Sequence, residues 1–340
     1  MVLHTRTSPV QLCLASLFGI LATAGNGANA AEHSWEYAAV DLPQAGTECV
    51  TAVAIDEGHN RLLAGFKDGK IAAWDVKNTR SLFVNRLVKE PVSFVGPDEA
   101  DGNSLLVGSG GALRRIPLTP GRAPERLSEA SFKQLAQSPD GTKVVMLFSG
   151  KSDYAAVLTV KRSKFSKPIP LNSGAGRIAV DNDGSKLAVA YHDSVVVMNV
   201  DDPRIVSRFP NADEGGEVAI RITRLAFSNS CSVLVVGFDE VDGLTSGVST
   251  LDYGRSVLAR QIHSIMPDHF AVSPCGRWLA IAGDRTMCLY RLPELHLRQQ
   301  RNDDSRAPYS CVSVASNASL IAVGRSDGIV QLWQRRGAVK

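Results

Sequence analysis

The sequence predicts an all-β protein, a single seven-bladed β-propeller of four-stranded blades, and three observations lead to this prediction. The phrase "GRSDGIVQLWQRR" near the C-terminus has a counterpart, "GFKDGKIAAWDVK", near the N-terminus. Five further segments between them repeat the same order of strands and turns, with a period of about 40 residues. An unassigned strand, "SWEYAAVDL" at 34–42, precedes the first unit and supplies the fourth strand that the last unit lacks.

The first 30 residues have the pattern of a secretory signal peptide. Arg6 precedes an apolar run from about Val10 to Ala24, and Ala28-Asn29-Ala30 fits an A-x-A cleavage site. The apolar run is shorter than the roughly 20 residues that a spanning helix needs. Cys13 stands inside this run, so we expect no lipid anchor. We therefore expect cleavage after Ala30, a mature propeller at 31–340 and a periplasmic or secreted location.

Each unit reads as alternating strands and turns. The Asp-Gly pair supplies a tight hairpin turn, and the alternating apolar residues after it indicate a strand with one buried face. The segments "VTAVAIDEGHNRLLAGFKDGKIAAWDV" and "VSVASNASLIAVGRSDGIVQLWQ" both give strand, turn, strand, turn, strand. The same order recurs at 90–118, 131–160, 176–200, 222–253 and 267–292. Further stretches such as "RSLFVNRL", "RIVSRFP" and "SVLARQI" supply fourth strands, and four strands per unit indicate a propeller.

The repeated residues resemble those of the WD- and YVTN-type propellers in an exported bacterial form. The resemblance rests on the tight-turn Asp68 and Asp327 and on the strand-ending Trp74 and Trp333, and it covers nearly all of the chain after residue 30. It implies that these four are structural repeat residues. The Gly-His pair of the family is missing before every unit, so the family's hydrogen-bonded blade network cannot form in full.

The chain ends predict how the ring closes. If the segment at 34–42 forms the outer strand of the last blade, strand pairing between the two ends of the chain removes an exposed edge. The repeated phrase then marks one blade at each occurrence.

Composition bounds the function. Removing residues 1–30 deletes one basic and no acidic residue, so the formal net charge falls from +3 to +2. This near balance disfavours a nucleic-acid partner. No later apolar run could cross a bilayer, so after cleavage we expect a chain that does not span the membrane. We also expect the protein to be a monomer.

No pattern indicates a catalytic, cofactor or metal centre. His263 and His269 have no ligand at zinc-like spacing beside them and are interpreted as a surface and a blade-packing histidine. No G-x-S-x-G motif is present, and Cys275 falls in a hairpin turn. "VGSGGALRR" lacks the ending of a phosphate loop, and the docking motifs of the exported quinoprotein propellers are absent. We expect no cofactor.

The cysteines after residue 30 are odd in number, and one pair of them could bridge the closure. Ring closure brings Cys49, before the first inner strand, near Cys311, at the start of the last one. A one-residue offset between them turns the side chains to opposite faces of a strand. A Cys49–Cys311 disulfide and two buried thiols both remain open.

Two loops of the fifth unit are acidic. "NADEGGE" carries Asp213, Glu214 and Glu217, and "FDEVDGLTSG" carries Asp239, Glu240 and Asp242. The propeller places both loops on one face, where the carboxylates could bind a cation or a basic partner. Asp213, Glu214, Asp239 and Asp242 are the candidates for such a contact, and two solvated loops are the alternative.

Two classes of function follow. In the first, the protein is a non-catalytic periplasmic scaffold whose loop face binds a protein partner in the cell envelope. In the second, it is a propeller enzyme or enzyme subunit, a lactonase-like hydrolase or a dehydrogenase component, with a site at the channel mouth. The fold serves both classes, and the lack of a recognisable ligand cluster favours the scaffold.

Overall fold

A computed structural model of the chain describes residues 36–119, 121–128, 130–138, 140–150, 152–181, 183–192, 194–210, 220–228, 232–240, 246–263, 269–303 and 307–336. Within this part of the chain the secondary structure is 29 strands in seven antiparallel sheets, apart from one 3₁₀ turn at Val160–Arg162. The seven sheets are the blades of a propeller ring, so the predicted fold class is confirmed.

The strands follow one another from the inside of each blade to the outside. The N-terminal strand is β1, Tyr37–Asp41. Blade 1 consists of β2 Val50–Asp56, β3 Arg61–Phe66, β4 Lys70–Asp75 and β5 Ser81–Arg86. Blade 2 consists of β6 Val92–Pro97, β7 Ser104–Ser109, β8 Ala112–Pro117 and β9 Glu125–Arg126. Blade 3 consists of β10 Gln134–Gln137, β11 Lys143–Phe148, β12 Tyr154–Thr159 and a split outer strand, β13 Lys164–Phe165 and β14 Ile169–Pro170.

The second half of the ring repeats this order. Blade 4 consists of β15 Arg177–Val180, β16 Lys186–Ala190, β17 Ser194–Asn199 and β18 Ile205–Pro210. Blade 5 consists of β19 Ile220–Ser228, β20 Val233–Glu240, β21 Ser246–Asp252 and β22 Val257–His263. Blade 6 consists of β23 His269–Val272, β24 Trp278–Gly283, β25 Thr286–Arg291 and β26 His296–Asn302. Blade 7 contributes β27 Tyr309–Val314, β28 Leu320–Arg325 and β29 Val330–Arg335.

The predicted closure is present. β1 pairs antiparallel with β29, from Tyr37 opposite Arg335 to Asp41 opposite Gln331, and so becomes the outer strand of blade 7. The Tyr37 hydroxyl is buried and donates a hydrogen bond to the Ala318 carbonyl at 2.5 Å. Because β29 would otherwise present an unpaired edge, this pairing joins the two ends of the described chain into a closed ring.

The core is divided among the boundaries between blades. The described residues form seven clusters of buried apolar side chains, and each cluster joins two neighbouring blades. The largest fully buried side chains include Trp74, Phe66 and Leu62 of blade 1. Since every blade buries both of its faces against neighbours, the ring is stabilised mainly by packing between blades.

Side-chain hydrogen bonds also cross each of the seven boundaries. In ring order from the closure, these are Ser310 to the Val50 carbonyl, Thr51 to the Val92 carbonyl, Gln137 to the Pro97 carbonyl, Gln134 from the Ile178 amide, Ser207 with Ser256, Ser228 to the Gly276 carbonyl, and Cys275 to the Ser316 carbonyl. The inner strands, which surround the central channel, supply many of them. In the part of the chain that the structure describes, no helix has the length and apolar character needed to cross a membrane.

Candidate functional site

The two repeat aspartates lie in tight hairpin turns of blades 1 and 7. Asp68 accepts a hydrogen bond from the Lys70 amide at 3.1 Å, beside Gly69 with a φ of +84°. Asp327 does the same for the Ile329 amide at 3.3 Å. An L-residue with a side chain is strained at such a φ, which explains the glycine that follows the aspartate.

Both strand-ending tryptophans pack at the boundaries of the closing blade. Trp74 is 1% exposed at the boundary of blades 7 and 1, and its indole N–H donates to the Pro43 carbonyl at 3.3 Å. Trp333 is buried at the boundary of blades 6 and 7. Both tryptophans therefore contribute to the packing between blades.

The acidic loops are only partly described. Asp239, near the end of β20, forms an ion pair with Arg221 across the first hairpin of blade 5. Its carboxylate accepts a hydrogen bond from the Arg221 guanidinium at 2.8 Å. Asp213, Glu214 and Asp242 lie outside the described residues. No group of three or more possible metal ligands occurs within the described residues. The acidic contact surface thus stays a prediction.

The two cysteines of the predicted bridge lie close together as thiols. The sulfur of Cys49 is 3.4 Å from the Val50 carbonyl oxygen and the sulfur of Cys311 is 3.8 Å from the same oxygen. Burial raises the pKa of Cys311 to about 12, so this thiol is protonated at neutral pH. The disulfide and the pair of unpaired thiols both stay hypotheses.

An exposed apolar surface lies on the outer strands of blades 4 and 5. It comprises Ile205 and Val206 of β18 and Val257 and Leu258 of β22, which are 59%, 40%, 49% and 56% exposed, and is called the rim surface below. The two strands meet where the Ser207 and Ser256 hydroxyls are hydrogen-bonded at 2.7 Å. Within the described residues, β18 and β22 are the outermost strands of their sheets, so each presents one edge that no strand pairs.

A second group of side chains lies on the inner strands of blades 4 to 7, around the channel. It comprises Arg177 of β15, Arg224 of β19, His269 of β23 and Cys311 of β27, and is called the channel cluster below. Each residue pairs with the same position of the second strand in its blade, opposite Ala190, Gly237, Ala282 and Gly324 respectively. The repeat therefore places the four residues at one level of the ring.

Contacts and electrostatic interactions join the members of the channel cluster. An Nη of Arg224 is 3.2 Å from Nδ1 of His269, across the boundary of blades 5 and 6. Burial and the charge of Arg224 lower the pKa of His269 to about 4, so the imidazole is neutral at pH 7. Because a guanidinium can only donate, Nδ1 accepts the hydrogen bond and the ring proton is on Nε2. Arg224 also interacts electrostatically with Cys311 and Arg177.

Sequence patterns did not single out the channel cluster. No motif links the three residues, which lie in separate inner strands. Arg177 and His269 each begin a strand, in "GRIAV" and "DHFAV", and Arg224 lies within one, in "ITRLAF". The sequence indicates a surface and a blade-packing histidine for His263 and His269. In the structure His269 packs at a blade boundary, where its partner is an arginine. Aligning the seven units on the inner strand would have placed these residues in one column.

Comparison with known proteins adds no family to this description. No family model matches the chain, and no curated protein matches it. The ring of seven blades is established by the structure, while the WD or YVTN type and every finer statement about function are proposals.

Proposed function

We propose that the protein is a non-catalytic, exported WD-like propeller that binds a protein partner in the cell envelope and acts there as an interaction scaffold. The rim surface is the observation that carries this proposal. Scattered exposed apolar residues are ordinary, but here four large exposed aliphatic residues lie in two pairs on the outer strands of the neighbouring blades 4 and 5, and grouped apolar residues of this kind are what partners cover.

The edges of the rim surface suggest how a partner binds. An extended segment can add to an open sheet edge through backbone hydrogen bonds, while alternate side chains contact the exposed residues of the edge strand. β22 is suited to this because Val257, Leu258 and Arg260 are all exposed along it. The partner segment should then carry apolar residues that contact Val257 and Leu258.

The charges around the rim surface indicate the second property of the partner. Arg204 and Arg255, next to the apolar residues, have side chains that are 82% and 83% exposed, and each is already paired with an aspartate of its own loop, at 2.8 Å and 3.7 Å. Arg208 and Arg260, farther along the same strands, are exposed too. Complementary charge increases the rate and specificity of association. We therefore propose an extended segment with alternating apolar and acidic residues as the partner. The acidic loop face around Asp213 and Asp242 remains a second predicted contact surface.

Site-specific photo-crosslinking in cells tests the proposal. A photoreactive residue replaces Leu258 of the full chain, and the matched control replaces Leu297, which is 49% exposed on the outer strand of blade 6. We expect one discrete adduct at position 258 in the envelope fraction, formed by a propeller chain that begins at Ala31. Arg260→Glu should reduce the amount of adduct at least fivefold, which corresponds to a loss on the order of 1 kcal/mol of binding free energy.

Three results would contradict the proposal. Equal labelling at positions 258 and 297 would show that the apolar patch is not specific, and an adduct with a second copy of the chain would show self-association instead of partner binding. A chain that retains residues 1–30 in the cytosol would remove the exported location.

A further inference from the structure

The environment of Arg224 differs from that of three other arginines with little exposure. Arg61 is paired with Asp56 at 2.5 Å, and Arg325 is paired with Asp327 at 2.5 Å. Arg115 contacts both Asp98 and Glu125. In each case a carboxylate compensates the charge, as the cost of desolvating an ion requires.

No such compensation is present at Arg224 within the described residues. Its hydrogen-bonding partner is the neutral imidazole of His269, and its charged neighbour is a second arginine, Arg177. Cys311, the remaining neighbour, is protonated because burial raises the pKa of its thiol. Burial lowers the pKa of Arg224, yet a guanidinium stays charged in proteins. Two positive charges thus lie together at the channel without a carboxylate among the described residues.

The channel cluster is also accessible. Arg177, the first residue of β15, is exposed, and Arg224 is partly exposed although protein surrounds it. With His269 accepting from Arg224 through Nδ1, the Nε2–H of its ring is a donor as well. The three side chains therefore offer hydrogen-bond donors and positive charge, which is what an oxyanion requires.

We infer that the channel cluster is a binding site for a small oxyanion, a phosphate or carboxylate group, held by the guanidinium groups of Arg177 and Arg224. Both groups present oxygen atoms that pair with a guanidinium through two parallel hydrogen bonds. Bound anion would compensate the charge that Asp56, Asp98 and Asp327 compensate elsewhere in the ring. This site is separate from the rim surface, so it does not depend on the proposed partner.

Titration calorimetry of the mature protein tests the inference, with inorganic phosphate, acetate and malonate as three separate probes. We expect saturable binding at one site per chain. Comparing the affinity of phosphate with those of acetate and malonate then shows which oxyanion the site prefers. Arg224→Met and Arg177→Met should each weaken binding at least about tenfold. The matched control is Arg221→Met, which removes an arginine from the same inner strand, where Arg221 is paired with Asp239.

A second measurement covers the possibility that Arg224→Met fails to fold. Phosphate or carboxylate should shift the imidazole ¹⁵N resonance of His269 in the unmodified protein, and His269→Gln assigns that resonance. The inference is overturned if no probe binds saturably, if Arg221→Met weakens binding as much as Arg177→Met, or if binding leaves the His269 resonance unmoved.

Discussion

Blades 7, 1 and 2 and blades 4, 5 and 6 use the inner strand differently, although the repeat is the same. In the first group, called the closure side, small hydroxyl groups bond to neighbouring backbone. Ser310 donates to the Val50 carbonyl and Thr51 to the Val92 carbonyl, both at 2.5 Å, and Ser313 accepts from the Ile55 amide at 3.2 Å. In the second group, called the cationic side, Arg177 and Arg224 occupy the inner strands.

The comparison separates what stabilises the ring from what it can bind. Hydroxyl-to-carbonyl hydrogen bonds satisfy buried polar groups and contribute to stability. An arginine without a carboxylate partner contributes little to stability, because its desolvation opposes folding. Packing and hydrogen bonds stabilise every boundary of the ring, but on the closure side the inner-strand side chains add to that stability, whereas on the cationic side Arg177 and Arg224 form the proposed anion site. Changes on the two sides should therefore have opposite signatures, and three predictions test this, from the largest effect to the smallest.

Removing the closing strand should have the largest effect. A variant lacking residues 31–42 loses the β1–β29 pairing, the Tyr37 hydrogen bond and the burial of Tyr37 and Leu42. We expect a loss of at least about 5 kcal/mol in the free energy of unfolding, measured by urea denaturation, or no folding at all. Tyr37→Ala provides a graded version at roughly 3 kcal/mol. A truncated protein that melts like the full one would show that closure does not stabilise the ring.

Acid should destabilise the cationic side through His269. Its pKa is about 4 in the folded protein against 6.5 when unfolded, so the unfolded chain binds the proton first. Stability contributed by the neutral imidazole is complete above pH 6.5 and is lost as the pH falls toward 4, by up to about 3 kcal/mol. Among the described residues, Arg224 is the charged group that acts on this imidazole, and Arg177 and Cys311 interact in turn with Arg224. The measurement is urea unfolding from pH 7 to pH 4.

Two comparisons isolate the histidine from other acid effects. His269→Asn should flatten the pH dependence relative to the unmodified protein, whereas His296→Asn, at an exposed position of β26, should leave it unchanged. Saturating phosphate should reduce the loss, because a bound anion offsets the repulsion from Arg224. Identical curves for the unmodified protein and His269→Asn would contradict the prediction.

The smallest effect is expected on the closure side. Thr51→Val keeps the shape of the side chain and removes its hydrogen bond to Val92, which should cost about 1 kcal/mol of stability and leave phosphate affinity within about twofold. Arg224→Met should do the reverse, since it abolishes phosphate binding and leaves stability equal or higher. If Thr51→Val weakens phosphate binding as strongly as it weakens the fold, the two sides are not separate.

The sequence was sufficient for the ring because each blade carries its own local signals. Asp-Gly turns such as Asp68-Gly69 and strands that alternate in polarity recur within each unit, and the unassigned strand at 34–42 complements the incomplete unit at the other end. The closing pair of β1 and β29 therefore followed from counting strands, and it is confirmed. These are properties of neighbouring residues or of the repeat itself.

The sequence was insufficient for the two candidate surfaces because both depend on contacts between blades. Arg224 and His269 are 45 residues apart, and only the ring places them 3.2 Å from each other. Likewise, Ser207 and Ser256, which are 49 residues apart, are hydrogen-bonded only because the ring places blades 4 and 5 side by side. A single unit gives no sign of either, since the surroundings of Arg224 among the described residues come from several blades.

The pairing of β1 with β29 also sets the order in which the chain can fold. Asp41 and Gln331, which form a 2.9 Å hydrogen bond in this pair, are 290 residues apart, so β1 has no partner until β29 has been synthesised. Individual blades have short-range contacts and can form early, but closing the ring is a long-range step that is slow by nature. A chain that has not yet reached β29 therefore exposes unpaired strand edges, which favour aggregation.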